Sequence, residues 1–290
     1  MEFLRKGIQG STPHFVTNNT MAIKTIFLVL LMAACQQSPS ANNGTPVVPT
    51  QQSFINESTV IHVFVALCDN KYQGIVPVPA KIGNGQNPLN NLYWGAAYGI
   101  KSFFKKSTDW SIIQSQTNPA NSILERCVFK HKSKNVFIVA DAYDGATIKS
   151  CTIDFFNACA GLEKKKIIIK DKELGINGNA QLIAYIGHDG LMDFSLDSYP
   201  NAADSIKRDA IMLACISKSY FKEGIRASGA NPLVWSTGLM SPEAYTLKAA
   251  IDGWLNKETD AQVRERAAAA YHQYQKCGMK GARNLLVSGY

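Results

Sequence analysis

Several signatures of common function classes are missing from this chain. None of its seven cysteines forms a Cys-x-x-Cys pair, and no cysteine–histidine cluster has zinc-ligand spacing, so no metal site is expected. Gly83-Asn84-Gly85 neither follows an apolar strand nor completes a glycine fingerprint, which argues against a nucleotide site; no cofactor is expected. No apolar run approaches the roughly 20 residues that cross a bilayer. The formal net charge is +8, but the basic residues are scattered or in small groups: Lys101/Lys105/Lys106, Lys130/Lys132/Lys134 and Lys164–Lys166. They lack interleaved aromatics and any helix-turn-helix pattern, so nucleic acid is not an expected partner. Solvated faces are their ordinary reading, with an anionic membrane surface or wall polymer as the alternative.

What is present begins at Met21. A basic residue (Lys24), an apolar stretch from Ile26 to Ala34 and then Cys35 follow the order of an export signal. Leu31-Met32-Ala33-Ala34-Cys35 resembles the lipobox of bacterial lipoproteins, with Met32 where leucine is usual. The resemblance implies a signal region over residues 1–34, cleavage before Cys35 and lipid on that cysteine. Residues 1–20 fit neither signal nor domain and read as a misassigned start or a long basic leader. Gln36 to Gln52 carries no charge and is dominated by Gln, Ser, Asn, Pro and Thr, the composition of a tether, here placed over residues 35–55. Loss of the first 34 residues removes Arg5, Lys6, Lys24 and Glu2 and takes the charge from +8 to +6. The expected location is a bacterial cell envelope, lipid-anchored to the outer membrane or on the periplasmic face. Such a compartment permits disulfides, though no pairing of the other six cysteines can be assigned.

No comparable linker recurs, so residues 56–290 are expected to form one α/β domain. Val60–Leu67, Asn135–Ala140, Gln181–Ile186 and Asp209–Ala214 are near-continuous apolar runs, the mark of parallel strands buried on both faces; Pro232–Trp235 is a short fifth. Helices are expected from Asn90 or Asn91 to about Phe104, Thr147 to Ala160, Ser217 to about Ala227, Pro242 to about Asn256 and Asp260 to Lys276. This alternation predicts a mainly parallel sheet flanked by helices. In such sheets ligands bind beyond the carboxyl ends of the strands. The exits therefore matter: Asp69, Asp141 and Asp144, His188, and Cys215. The Gly-, Pro- and Asn-rich segment Lys71–Asn91 is the longest loop and a candidate functional one.

Two of these exits carry a histidine and a cysteine, which together can attack and protonate a carboxamide. Leu182-Ile-Ala-Tyr-Ile-Gly-His188-Asp-Gly190 and Ala210-Ile-Met-Leu-Ala214-Cys215, followed by Gly229–Thr237 and a helix, resemble the caspase–haemoglobinase clan of cysteine peptidases. The resemblance spans about Val60 to Asn256. It implies a caspase-like three-layer sandwich, Cys215 as nucleophile, His188 as proton donor to the leaving amine, Gly190 with the cysteine amide as oxyanion hole, and Ser236 and Thr237 in the specificity pocket. Asp189, between His188 and Gly190, departs from the clan's pattern; it is a candidate to orient His188 or to line the cleft with Asp69, Asp141 and Asp144.

Three functions follow from these readings. One is a tethered cysteine endopeptidase acting on polypeptides of the envelope. Another is a non-catalytic lipoprotein on a degenerate caspase-like fold, binding a ligand or an envelope protein through its exit loops. The third is a doubly wound domain with a small ligand and no peptidase ancestry, which strand order would distinguish.

Overall fold

Strand β1 (Thr59–Ala66) is buried along nearly its whole length, as an apolar run in the middle of a sheet must be. It lies at the centre of the structure, a computed structural model that describes residues 58–74 and 77–290. The expected signal, Cys35 and the tether lie outside the described residues. Within Ser53–Tyr290, which forms one compact unit, β1 pairs in parallel with β4 (Val136–Tyr143) on one side and β7 (Leu182–Gly187) on the other. Beyond β7 come β8 (Asp209–Leu213) and β9 (Asn231–Ser236), also parallel, and then the short antiparallel β10 (Leu286–Val287). Beyond β4 lie β3 (Ile123–His131) and β2 (Trp110–Ala120), an antiparallel hairpin. The eight-stranded order is β10-β9-β8-β7-β1-β4-β3-β2. The direction of strand addition reverses at β1, and the crevice of a doubly wound sheet opens at such a point.

Alternating side chains feed two cores. One packs Ile61, Val63, Val65 and Leu67 against α1 (Ile100–Lys105), α4 (Ala244–Leu255) and α5 (Asp260–Gln275). The other packs Val60, Phe64 and Ala66 against α2 (Ile148–Cys159), α3 (Ser217–Ser228) and a separate hairpin, β5 (Lys165–Ile169) with β6 (Lys172–Ile176). The result is the expected three-layer α/β sandwich with a mainly parallel sheet. A further helix, α6 (Met279–Leu285), precedes β10.

The expected helix from Asn90 is replaced by turns up to Gly99, leaving only the six residues of α1. Asn91 is consumed locally, its amide donating to the Cys68 and Asn84 carbonyls. Gly95 lies so close to the Leu89 carbonyl that a Cβ would come within 1.9 Å of it, an approach regular helix does not make. Strand β4 runs to Tyr143, past the expected end, which places Asp141 inside the sheet and not at a cleft.

Asp141 is wholly buried on the α2–α3 side. It accepts both guanidinium bonds of Arg126 at 2.6 Å and one from His62 Nε2 at 3.0 Å. His62 Nδ1 in turn accepts the Asn177 amide, so the neutral imidazole with its proton on Nε2 satisfies every partner. Burial alone would raise the carboxyl pKa, but Arg126 and His62 together hold it below its ordinary value. The same burial lowers that of His62. The chain of bonds joins β3, β4, β1 and the return from β6 in one place.

Removing one partner of a buried pair strands the other's charge, at about 3–5 kcal/mol. Arg126→Met should therefore lower unfolding stability by about that much in urea titrations. An unchanged midpoint and slope would show that the network contributes little.

Candidate active site at the carboxyl ends of the strands

Parallel pairing of β7 with β8 runs at a constant offset of 27 residues, from Leu182 beside Asp209 to Ile186 beside Leu213. Carried two residues further, it sets His188 level with Cys215 at adjacent strand exits, where neighbouring backbones are about 4.8 Å apart. Gly187 makes this exit possible on the β7 side. Its φ is +131°, and a Cβ there would fall 2.1 Å from the Ala66 carbonyl oxygen. That close seat lets the His188 amide donate to the same oxygen at 3.1 Å.

On the β8 side the chain turns sharply into α3. Ile216 takes the left-handed conformation, φ +52° and ψ +27°, which is strained for a β-branched residue. Its amide donates to Gly238, and its carbonyl accepts from Ser219. Ser236 completes the clamp: its buried hydroxyl donates to the Ala214 carbonyl and accepts from the Ser217 amide, while its own amide donates to the Ser217 hydroxyl. Ser236 is therefore not a wall of a specificity pocket; it holds the turn that carries Cys215. Thr237 is exposed, its hydroxyl donating to the Asn284 carbonyl at the end of α6.

Among the described cysteines, Cys68, Cys127, Cys151 and Cys159 are buried, Cys277 is exposed, and Cys215 is half-buried; all are free thiols. Burial pushes the Cys68 thiol up to about 11 and Cys127 to about 12. The Cys215 sulfur faces the α4–α5 side and donates to the Met240 carbonyl at 3.6 Å. Burial raises its pKa, a backbone hydrogen bond from Met240 works against that, and the nearby Asp189 carboxyl adds to the rise. Cys215 and Glu243 both contribute to the raised pKa values of Tyr93 and Tyr271, for which burial is the larger cause.

The carboxylate that engages His188 is Asp193, not Asp189. Its Oδ2 lies 2.6 Å from His188 Nε2, and its Oδ1 accepts the Gly74 amide at 3.1 Å. Burial nevertheless lowers the His188 pKa, outweighing the bond and charge of Asp193. Asp189 turns to the α2 side, where one oxygen accepts the Leu191 amide and the other, buried, has no partner among the described residues. Burial pushes its carboxyl up to about 7, the Leu191 amide opposes this, and Asp193 adds to it. Gly190 is buried, a Cβ there meeting the Phe194 ring and the Thr152 hydroxyl, and the Tyr185 hydroxyl donates to the His188 carbonyl at 2.7 Å. Asp189 caps the short 3-10 turn over Gly190–Met192.

Asp69 and Asp144 organise the neighbouring exits. Asp69 accepts from the Lys71, Tyr72 and Gly85 amides and from Gln86, and the Gln86 amide also donates to Asp144. Asp144 accepts the Ala146 amide at the entry to α2. Gln73 reaches the Leu67 and Gly145 carbonyls. The described part of the Lys71–Asn91 loop is thus tied down over the ends of β1 and β4. An open concavity of about 320 Å³ lies elsewhere, lined by Phe156, Leu196, Tyr199 and Pro200 among others, and neither Cys215 nor His188 lines it.

Asp193 and Tyr93 did not stand out in the sequence. An acid five residues beyond a histidine has no special spacing outside a helix. Among the described residues no group of three or more His, Cys, Asp or Glu side chains is placed to hold a metal ion, and no helix is long and apolar enough to cross a membrane. No protein-family model matches the chain, and no curated protein or solved structure is detectably similar to it.

Exposure separates the thiols. In Ser53–Tyr290 with Cys277 replaced by serine, iodoacetamide should modify Cys215 well before the four buried cysteines, with a rate still rising above pH 9, the ordinary value for this group. Peptide mapping that finds uniform labelling of all five would remove the distinction.

Proposed function

We propose that this chain is a membrane-tethered cysteine peptidase in which Cys215 is the nucleophile and His188 the proton carrier. The observation that carries the reading is the β7–β8 register, which brings the two exits level. Two further features support it: the half-buried thiol on a strained turn and the carboxylate of Asp193 on Nε2 of His188. The strand order, with β1 and β4 on one side of the switch and β7 to β9 on the other, suits the caspase-like resemblance. It equally suits other doubly wound domains.

The chemistry would begin from a neutral pair, since burial favours the thiol at Cys215 and the unprotonated ring at His188. Asp193 occupies Nε2 and leaves Nδ1 to serve the thiol. Sγ attacks the carbonyl carbon as its proton passes to Nδ1. The C–N bond then breaks, and the amine leaves with that proton. Water, giving its proton to the same nitrogen, opens the thioester and restores the thiol. Export on a Cys35 lipid would confine this activity to polypeptides of the envelope.

Cleavage of a mixed fluorogenic peptide library is the direct test. Cys215→Ala should abolish it, and His188→Ala should reduce kcat by about 10²–10⁴-fold. The acid limb should fall below pH 6.5, the ordinary value for histidine, because a ring with a lowered pKa stays an acceptor down to more acid pH. Hydrolysis that survives Cys215→Ala would defeat the assignment. A non-catalytic binding role is favoured by one observation, the burial of Gly190 in the 3-10 turn that Asp189 caps. That role predicts that Cys215→Ala leaves the biological effect of the protein intact.

A further inference from the structure

The two ends of the sheet differ in charge. The exits around the candidate site, residues 68–74, 144–147 and 188–197, carry five acidic side chains against the single Lys71. At the opposite end lie the β3–β4 turn (residues 132–135), the β5–β6 hairpin with its lead-in (162–173) and the approach to β8 (203–208). Together these carry nine basic and four acidic residues. Parallel topology puts the β3–β4 turn, the lead-in to β5 and the approach to β8 together, because β1, β4, β7 and β8 all begin there, and the β5–β6 hairpin springs from that lead-in. Specific bonds join them as well. Lys164 pairs with Asp204 at 2.7 Å, and Arg208 binds both Asp204 and the Gly178 carbonyl. The Thr59 amide donates to the Asn135 carbonyl, and the Gln181 amide to that of Val60.

This basic end also exposes aliphatic side chains that buried packing would normally claim. Ile168 is 74% exposed on β5, and Ile206 is 61% exposed beside Lys207. Lys170, Lys172 and Lys207 are exposed and make no ion pair among the described residues. Isoleucines standing among free lysines suit a surface that is anionic in front and apolar just behind, as a phospholipid headgroup layer is. The chain enters the domain at this same end, at Ser58, which bonds Asn135. Cys35 lies only 23 residues earlier, a distance of no more than about 80 Å for any polypeptide.

We propose that this end of the domain docks on an anionic phospholipid surface and so holds the Cys215 end facing away from the membrane. The biological setting rests on the reading of Cys35 as a lipidated residue. A lipid on Cys35 fixes where the chain is held but not which face of the domain meets the membrane, and a basic face edged with aliphatic side chains would select one. Docking would give the domain a fixed orientation, with the acidic exits presented outward.

The test uses Ser53–Tyr290, the compact unit whose two cores close within it, so neither leader nor lipid contributes. It should co-sediment with phosphatidylcholine vesicles containing phosphatidylglycerol, not with phosphatidylcholine alone, and salt should release it. Lys170→Glu/Lys172→Glu/Lys207→Glu should weaken binding by about a hundredfold or more, at about fivefold per lysine. Ile168→Asp should weaken it without abolishing its salt dependence. Circular dichroism and urea midpoints should match the parent, since all four side chains are exposed. Equal binding to both vesicle types, or an unaffected triple variant, would overturn the proposal. So would heparin binding as tight as vesicle binding together with an inert Ile168→Asp, which would mark the face as a site for soluble polyanions. Palmitate labelling of Cys35 in cells and peptide hydrolysis by Cys215 are read separately, so their failure and the failure of docking are distinguishable.

Discussion

Parallel strands advance together, and a side chain just past the end of one strand is carried level with its register partner just past the end of the next. In this protein that constraint acts between β7 and β8, and the whole candidate site depends on it. The constant offset sets His188 beside Cys215 only if both exits are held where pairing stops. Gly187 does this for β7 by seating against the Ala66 carbonyl without a Cβ. Ser236 and the left-handed Ile216 do it for β8 by fixing the turn into α3. The strain at Ile216 is retained because three backbone and hydroxyl contacts around it leave no easier path for the chain.

Beneath these exits the scaffold is stiffened by polar groups that have nothing to do with chemistry. Arg126, Asp141 and His62 form a fully paired chain inside the α2–α3 core, and Asp69 gathers four donors to tie the β1 exit loop to β4. Rigid placement suits a site whose thiol and imidazole both rest uncharged. Such a pair has no ion-pair attraction to hold it together, so the backbone must supply the alignment. Asp193 contributes from the side by engaging His188 and reaching the amide of Gly74 in the neighbouring loop.

Much of the sheet was legible in the residues because burial on both faces demands continuous apolar runs. β1, β4, β7 and β8 announce themselves in this way. The β2–β3 and β5–β6 hairpins do not: β2 is fully buried only at Trp110, and a lysine-rich β5 with an exposed Ile168 follows neither template. Asp141 looked like a strand exit because an acid after five apolar residues usually is one; Arg126, fifteen residues earlier, is what lets it lie inside. Asp189 looked like the natural partner of His188 for the same local reason. Adjacent residues at a strand end face opposite sides, however, and the bond went to Asp193.

The sequence by itself determined the fold class, the order of the parallel strands along the chain and the two exits that carry His188 and Cys215, since each follows from hydrophobic period and local turn chemistry. Tertiary structure alone decided which polar side chains meet. It gave His188 to Asp193, made Ser236 a clamp, and gathered the lysines of three separate segments at one end of the sheet. Those outcomes depend on register and on long-range pairing, and a hydrogen bond between residues far apart in the chain leaves no periodic mark in the sequence.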